Sequence, residues 1–283
     1  MMRVESREAT MEEAWEAPSA SAAVGGARSA ADANAPTEGA GPDKDARSSS
    51  GSHLADAEAL RLLEGRDSGV RPELSRRGYR FAKRAFDIAA SGAAVALLLV
   101  PGAILCAVIC AKSPGAGPLY SQWRIGRVRR DGSYRPFRMW KFRSMAPDAD
   151  ARLEELRELN EADGPLFKIK DDPRVIPGVG AFIRRHSIDE LPQLLNVLAG
   201  QMSLIGPRPG LPREVAQYDG RAVRRLAVKP GCGGAWQTSG RSDVGFDRMV
   251  ELDLDYIGNR SIGLDLSLVL STVKAMFSGK GAR

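Results

Sequence analysis

The chain has 283 residues, a formal net charge of +6, three cysteines and two histidines. The cysteines are too few and too irregularly spaced for a disulfide framework or a zinc site, and two histidines argue against an imidazole metal centre. The excess of positive charge favours an anionic partner, which could be nucleic acid, lipid headgroups or a phosphorylated substrate.

Residues 1–76 are predicted to form a disordered, low-complexity leader. They are rich in Ala, Ser, Gly, Asp and Glu and nearly lack aromatic and β-branched residues, so they bury too little apolar surface to offset their ordering entropy. The sequence of residues 54–63 is compatible with a short helix. No apolar run follows the early charges, so we expect no secretory signal.

Residues 77–114 are predicted to enter a membrane. Ile88–Ala111 contains 24 uncharged residues, which is enough to span about 30 Å as a helix. Pro101-Gly102 falls in its middle, and both flanks are basic, which places both on the cytoplasmic side. A proline-broken helix hairpin that enters one leaflet and returns meets both conditions. The alternative is a transmembrane helix with a proline kink.

Residues 115–283 are predicted to form a cytoplasmic catalytic domain that begins with a β-hairpin. Leu119–Arg127 and Tyr134–Met145 have strand character, with a turn at Asp131-Gly132. Lys141 and Arg143 alternate with aromatic residues in the second strand. This pattern suits a membrane interface or a phosphate site, and it would also suit single-stranded nucleic acid.

The rest of this domain is predicted to be mostly helical. A short strand is expected at 166–170, and a second strand from Met202 is expected to lead into a rigid loop that ends at Gly210. An apolar helix over 264–277 is suited to the membrane surface. The other predicted helices cover residues 149–160, 179–185, 194–200, 213–226 and 246–257.

Two adjacent carboxylates, Asp189 and Glu190, follow Arg184 and Arg185. Ser187 and Asp189 are good N-cap residues, so the pair is predicted at a helix start where the dipole favours negative charge. A divalent metal and an anionic substrate held by the arginines could meet there. The alternative is an ordinary acidic helix start paired with nearby arginines.

Further basic residues lie in two rigid or glycine-rich loops. Arg208 is presented by Gly206–Gly210, and Lys229 and Arg241 bound a loop with four glycines between them. Glycine lets the backbone approach a phosphate closely, although a plain flexible loop explains the same composition.

Several motifs occur together in a specific order. After the basic start and the proline-containing apolar run come Trp140–Met145 (WKFRSM), Ser187–Gln193 (SIDELPQ), Ser203–Pro209 (SLIGPRP), Lys229–Gly231 (KPG) and Gln237–Arg241 (QTSGR). From about residue 79 to the C-terminus, this order resembles the bacterial sugar transferases, the monotopic polyprenyl-phosphate phosphoglycosyl transferases.

The resemblance implies an α+β monotopic membrane protein with a re-entrant helix hairpin, a small β-hairpin and interfacial amphipathic helices. It implies transfer of a phospho-sugar from a nucleotide diphosphate sugar, usually a UDP-sugar, to undecaprenyl phosphate, with Mg²⁺ and a covalent intermediate on Asp189. Glu190 would bind metal or manage protons, and Arg184, with Arg185, would hold phosphate. Phosphate-binding roles of lower rank fall to Arg208, Lys229, Arg241, Lys141 and Arg143.

The implied location is the bacterial inner membrane, with the catalytic domain on its cytoplasmic face. The long uncharged run argues against a nucleic-acid-binding protein. The alternative function is a catalytically inactive basic membrane scaffold for polysaccharide assembly. The sequence leaves open whether the chain forms a homo-oligomer, which sugar it transfers and what the leader does.

Overall fold

The computed structural model describes residues 52–153, 155–161, 169, 171–238 and 245–278. Helices and strands alternate irregularly along this part of the chain. The helices are α1 Ser52–Leu63, α2 Arg77–Lys112, α3 Val179–Arg185, α4 Gln193–Leu198, α5 Pro212–Val215, α6 Ala235–Thr238, α7 Phe246–Asn259 and α8 Ile262–Ser278. The strands are β1 Leu119–Ile125, β2 Pro136–Phe142, β3 Ser203–Ile205 and β4 Gly231–Gly233.

The predicted β-hairpin is confirmed. Strands β1 and β2 are antiparallel, with Leu119 opposite Phe142 and Ile125 opposite Pro136. The turn residue Gly132 has φ 86°, a conformation that glycine adopts without strain. The strand predicted from Met202 is confirmed as β3, which pairs in parallel with β4. Strand β4 and this pairing were not predicted, because a three-residue strand is too short to give a sequence signal.

Helix α2 carries the predicted membrane segment. It is the helix, among the residues the structure describes, that is long and apolar enough to cross a membrane, and only 6% of its most apolar 18 residues is buried. Leu97, Leu99 and Val100 are each more than two-thirds exposed. Exposed apolar surface of this extent is typical of contact with lipid.

The predicted break at Pro101-Gly102 does not interrupt α2, which continues through Pro101 as one helix of 36 residues. A proline inside a helix removes one backbone hydrogen bond and bends the axis without necessarily ending the helix. The fold is therefore a mixture of helix and sheet with one long apolar helix. The re-entrant path stays a prediction, which requires a bend at Pro101 rather than a break.

The N-terminal third of α2 is attached to the rest of the protein by polar contacts. Arg84 donates hydrogen bonds to the carbonyl oxygens of Val197 (2.6 Å) and Leu198 (2.9 Å) at the end of α4. The Asp87 carboxylate is buried and accepts hydrogen bonds from Ser203 Oγ and the Leu204 backbone N–H. These contacts fix the start of the apolar segment against the predicted catalytic domain.

The predicted leader boundary at residue 76 is wrong for its last part. Residues 52–63 form helix α1, as the sequence allowed, and Leu63 and Val70 belong to the same buried cluster as Ile125 and Leu226. Asp56 is buried and forms a 3.1 Å ion pair with Arg213. The prediction rested on the average composition of residues 1–76, in which these few core-forming residues give no visible signal. Residues 1–51 lie outside the described part of the chain.

Replacing Leu63 should destabilise the protein through loss of α1 packing. Leu63 is 4% exposed, and the neighbouring Leu62 is 56% exposed. Leu63→Ala should lower the free energy of unfolding by about 2–5 kcal/mol, because truncating a buried leucine side chain leaves a cavity in the core. Urea unfolding of the full chain in detergent, followed by tryptophan fluorescence, measures this. Leu62→Ala is the matched control, and equal midpoints for the two variants would contradict docking of α1.

Two predicted helices are replaced by shorter elements. Residues 149–160 contain 3₁₀ turns at Ala151–Leu153 and Arg157–Leu159, and residues 213–226 divide between α5 and the 3₁₀ helix Ala222–Ala227. The helices predicted near 179–185, 194–200, 246–257 and 264–277 are confirmed as α3, α4, α7 and α8. The predicted strand at 166–170 falls almost wholly outside the described residues.

Candidate active site

The acidic pair lies in the 3₁₀ turn Ile188–Glu190 between α3 and α4. The predicted helix N-cap is wrong: Ser187 has φ 53° and makes no side-chain cap, and α4 begins only after Pro192. Asp189 is 7% exposed, and the Glu190 side chain is 32% exposed. The pair is therefore buried at Asp189 and only partly exposed at Glu190.

Lys141 links the acidic pair to the β-hairpin. Its Nζ lies 2.9 Å from Oε1 of Glu190, 49 residues further along the chain. Buried Asn196 of α4 holds β2 in place, since it accepts a hydrogen bond from the Trp140 backbone N–H and donates one to the Arg138 carbonyl oxygen. The hairpin thus delivers one cation to the pair at a fixed position.

The two carboxyl groups are electrostatically different. Burial raises the pKa of Asp189 to about 6, and the Glu190 charge adds to this, while Lys141 and Arg184 oppose it. Burial would also raise the pKa of Glu190. The adjacent Lys141 ammonium and the charges of Arg208 and Arg124 outweigh burial, so the Glu190 pKa lies below its ordinary value.

The two arginines before the pair differ in position. Arg184, in the last turn of α3, is half-buried, and its charge acts on both Asp189 and Asp172. Arg185 is exposed, and no ion pair joins it to a residue that the structure describes. Of these two arginines, Arg184 is the one whose charge acts on the acidic pair.

Arg208 belongs to a buried charge network beside the pair. Its Nη1 lies 3.0 Å from Oε2 of Glu214, which also accepts a hydrogen bond from the Leu211 backbone N–H. Arg124 lies 4.0 Å from the same carboxylate and donates to the Pro209 carbonyl oxygen. Sequence reasoning missed Arg124 and Glu214, because nothing in their local pattern separates them from solvent-exposed charges.

Arg225 supports the loop that carries Arg208. It donates a 3.1 Å hydrogen bond to the Arg208 carbonyl oxygen and forms a 2.7 Å ion pair with Asp253 of α7. Both charged side chains are 1% exposed. A buried ion pair that loses one member leaves an uncompensated charge.

Removing the Asp253 charge should therefore be strongly destabilising. Asp253→Asn is nearly isosteric and should lower the free energy of unfolding by about 3 kcal/mol, because the buried Arg225 guanidinium loses its counter-ion. Thermal or urea unfolding in detergent provides the measurement. Glu251→Gln, on the same helix, removes an acid that forms exposed pairs with Arg248 and Arg221 and should leave the midpoint unchanged. Equal effects would show that burial of the pair does not matter.

Two predicted phosphate-binding residues, Lys229 and Arg143, have their main contacts away from the pair. The charges that act most strongly on Lys229 are Arg84, Arg127, Asp87 and Arg135, not the acidic pair. Arg143 donates to the Gly117 carbonyl oxygen and lies over the Tyr120 ring. Arg241 lies outside the described residues.

The donor set near the pair suits Mg²⁺ bound together with a substrate. Within the described residues, no cluster of three or more histidine, cysteine, aspartate or glutamate side chains is present. Magnesium is often bound by one or two carboxylates and completed by water and substrate phosphates. Asp189 and Glu190 are adjacent and can supply the two carboxylates.

Comparisons with known proteins agree with this architecture. The family model described as bacterial sugar transferase matches residues 78–279. The chain is 42% identical over 203 residues to the galactosyl transferase CpsE of Streptococcus agalactiae, covering 71% of this chain and 43% of CpsE. It is 39% identical over 205 residues to the exopolysaccharide production protein ExoY of Rhizobium meliloti, covering 71% and 88% of the two chains.

A third relative is the undecaprenyl-phosphate galactose phosphotransferase of Salmonella typhimurium, 37% identical over 222 residues, with 75% of this chain and 44% of the relative covered. The chain thus spans less than half of two relatives and most of ExoY. The family match includes α2, the hairpin, the acidic turn and α8. The chain belongs to the bacterial sugar transferase family.

Proposed function

We propose that the protein transfers a sugar phosphate from a UDP-sugar to undecaprenyl phosphate and releases UMP, as the first membrane step of exopolysaccharide, capsule or other glycoconjugate synthesis. The observation that carries this proposal is the Asp189–Glu190 pair with Lys141 at 2.9 Å, within the region matched by the family. The Salmonella relative, an undecaprenyl-phosphate galactose phosphotransferase, supports the choice of lipid acceptor.

The proposed reaction has two displacements at one phosphorus atom. A carboxylate oxygen of Asp189 attacks the β-phosphorus, the bond from that phosphorus to the bridging oxygen breaks, and UMP leaves with the electron pair. An oxygen of undecaprenyl phosphate then attacks the same phosphorus. The bond to Asp189 breaks, which releases undecaprenyl diphospho-sugar and regenerates the carboxylate.

The residues around the pair have separate roles in this scheme. Arg184 binds the transferring phosphoryl group or the lipid phosphate, and Arg208, one-quarter exposed beside Glu190, offers a second cation to the diphosphate. Lys141 keeps Glu190 ionised. Asp189 and Glu190 would hold Mg²⁺ together with the substrate, and the ion would supply positive charge that favours phosphoryl transfer.

The helices on either side of the acidic turn support a position at the membrane surface. Both α3 and α4 pack against α2. Phe182 of α3 is 56% exposed, Leu195 of α4 is 47% exposed, and Leu266, Leu270 and Val273 give α8 an exposed apolar face. We infer that these surfaces lie in the cytoplasmic interface of the inner membrane, where a cytosolic nucleotide sugar can meet a lipid phosphate.

Release of UMP tests the function. Membranes containing the full chain are incubated with undecaprenyl phosphate, Mg²⁺ and each of several UDP-sugars, and UMP is measured with and without the lipid acceptor. We expect acceptor-dependent UMP release with at least one donor. Membrane retention without turnover for every donor would favour the inactive scaffold instead.

The membrane path has its own test. A re-entrant α2 leaves both ends of the chain in the cytoplasm, as the basic flanks require. Tags at the two ends should both resist protease added outside intact spheroplasts and should both be cleaved after lysis. Cleavage of one tag from outside would establish a full span.

A further inference from the structure

A second group of basic side chains lies away from the acidic pair. We call Arg84, Arg127, Arg135 and Lys229 the second basic cluster. Arg135 immediately precedes β2, whereas Lys141 lies near its other end. Six residues of extended strand separate the two positions by about 20 Å. Arg135 is therefore distant from Lys141 along the hairpin, and the charges that act most strongly on Lys229 are those of Arg84, Arg127, Asp87 and Arg135 and not those of the acidic pair.

The backbone brings the members of the cluster together from four segments. The Gly126 N–H donates to the Arg135 carbonyl oxygen (2.9 Å), and the Val128 N–H donates to the Leu226 carbonyl oxygen (3.0 Å), so Arg127 lies between the segments that carry Arg135 and Lys229. Arg84 joins them from α2.

Gly200 shows how close Arg84 and Lys229 are. A Cβ atom built on Gly200 would lie 3.4 Å from Arg84 Nη2 and 3.7 Å from Lys229 Nζ. Both cations therefore end beside the same point of the backbone. Gly200 itself has φ 78°, which any other residue would adopt only with strain.

Arg84 is hydrogen-bonded to the Val197 and Leu198 carbonyl oxygens, but acidic side chains compensate the charge of the cluster poorly. Asp87 is the acid that acts most strongly on Lys229, and its Oδ1 already accepts hydrogen bonds from Ser203 and Leu204. Lys229 forms no ion pair with any residue in the described part of the chain. Burial, together with the charges of Arg84 and Arg127, lowers the pKa of the Lys229 amine to about 8. An added anion would relieve this repulsion.

The position of Arg84 on α2 indicates the class of anion. Arg84 lies four residues before the uncharged run that begins at Ile88, and Phe81, one helical turn earlier, is 79% exposed. Side chains at this level of a membrane helix meet the phosphate groups of lipid headgroups. Basic pockets beside membrane helices on the cytoplasmic side are suited to anionic headgroups.

We propose that Arg84, Arg127, Arg135 and Lys229 form a phosphate-binding site, separate from the acidic pair, that holds the phosphodiester of an anionic phospholipid at the membrane surface. The site gives α2 a lipid-dependent attachment to the β1–β2 hairpin and to the segment that ends at Lys229. The same cations could bind free phosphate, and the test separates these two sources.

The experiment measures lipid binding to the purified full chain in a neutral detergent. Dioleoyl phosphatidylglycerol, dioleoyl phosphatidylcholine and inorganic phosphate are each titrated, and bound lipid is counted by native mass spectrometry beside the thermal unfolding midpoint. We expect phosphatidylglycerol to bind at least tenfold more tightly than phosphatidylcholine and to raise the midpoint, while millimolar inorganic phosphate neither raises it nor displaces the lipid.

Charge-matched variants locate the binding. Arg127→Gln with Arg135→Gln should reduce the affinity for phosphatidylglycerol at least tenfold and leave that for phosphatidylcholine unchanged. Arg130→Gln with Arg224→Gln removes two exposed charges outside the cluster and should keep the parent affinity. If the first pair fails to fold, Arg135→Gln alone, at an exposed position, should weaken binding by a smaller factor.

Three outcomes would overturn the proposal. Equal affinity for the two lipids would show that the site does not recognise an anionic headgroup. Equal loss of affinity in both variant pairs would show that binding depends only on the net charge of the protein. Competition by inorganic phosphate at millimolar concentration would assign the site to a soluble phosphate.

Discussion

Asp189→Asn should abolish UMP release and lipid-linked product formation, with a loss of at least about 10⁴-fold in kcat, because a neutral amide cannot supply the attacking oxygen. The side chains have nearly the same volume, so the turn Ile188–Glu190 should keep its shape. The full chain in detergent or nanodiscs is assayed with the donor found active in the UDP-sugar panel.

The control for Asp189→Asn is a separate single variant that removes an acidic side chain elsewhere. Asp255→Asn, at an exposed position on α7, should keep parent activity. The parent enzyme, mixed with donor labelled in the sugar and denatured without acceptor, should retain label on a peptide that contains Asp189. Full turnover by Asp189→Asn, or label that persists on that variant, would exclude the aspartate as nucleophile.

The elements that sequence patterning predicted correctly have strong periodicity or strong turn chemistry. The hairpin combines alternating aromatic residues with an Asp131-Gly132 turn, and in the structure Asp131 Oδ1 accepts the Ser133 N–H. Helices α7 and α8 follow the apolar spacing expected of amphipathic helices. Helix α2 is recognisable from its uncharged length alone.

The elements that were predicted incorrectly have sequence patterns that are compatible with more than one structure. Leu153, Leu156 and Leu159 recur every three residues, a spacing that suits the three-residue turn of a 3₁₀ helix as well as an α-helix. The helix predicted over 213–226 contains Asp219-Gly220. The Asp219 carboxylate accepts the Ala222 N–H at 2.6 Å and starts a new turn there.

Sequence patterns nominated the members of the candidate site but not its geometry. The motif around Asp189 nominated the pair with Arg184 and Arg185. The alternation of cations and aromatic residues, together with the family resemblance, nominated Lys141 as a phosphate-binding residue and not as a partner of Glu190. The contact between Lys141 and Glu190 spans 49 residues, and no local spacing encodes it. Lys229 was grouped with the substrate-binding cations for the same reason, since sequence alone does not show which loops converge.

Lys141→Met should reduce kcat/KM by about 10²–10³-fold. Loss of the ammonium removes the nearest positive charge from Glu190, and the preorganised charge around a phosphoryl-transfer site accounts for effects of this size. Without Lys141, the Glu190 pKa should rise, because the effect of burial is then opposed only by the more distant charges of Arg208 and Arg124. With a higher Glu190 pKa, the carboxyl pair would carry less negative charge and would bind the metal and its diphosphate less well.

Three comparisons separate this role from a structural one. Arg143→Gln removes a cation two residues away whose guanidinium donates to the Gly117 carbonyl oxygen, and it should change kcat/KM less than about tenfold. Lys141→Arg should restore part of the lost activity, since it returns the charge but not the ammonium geometry. In Lys141→Met, the urea midpoint should stay near the parent value. If the rate loss instead follows a large loss of stability, or if Arg143→Gln is equally impaired, Lys141 acts through the hairpin fold and not through the charge on Glu190.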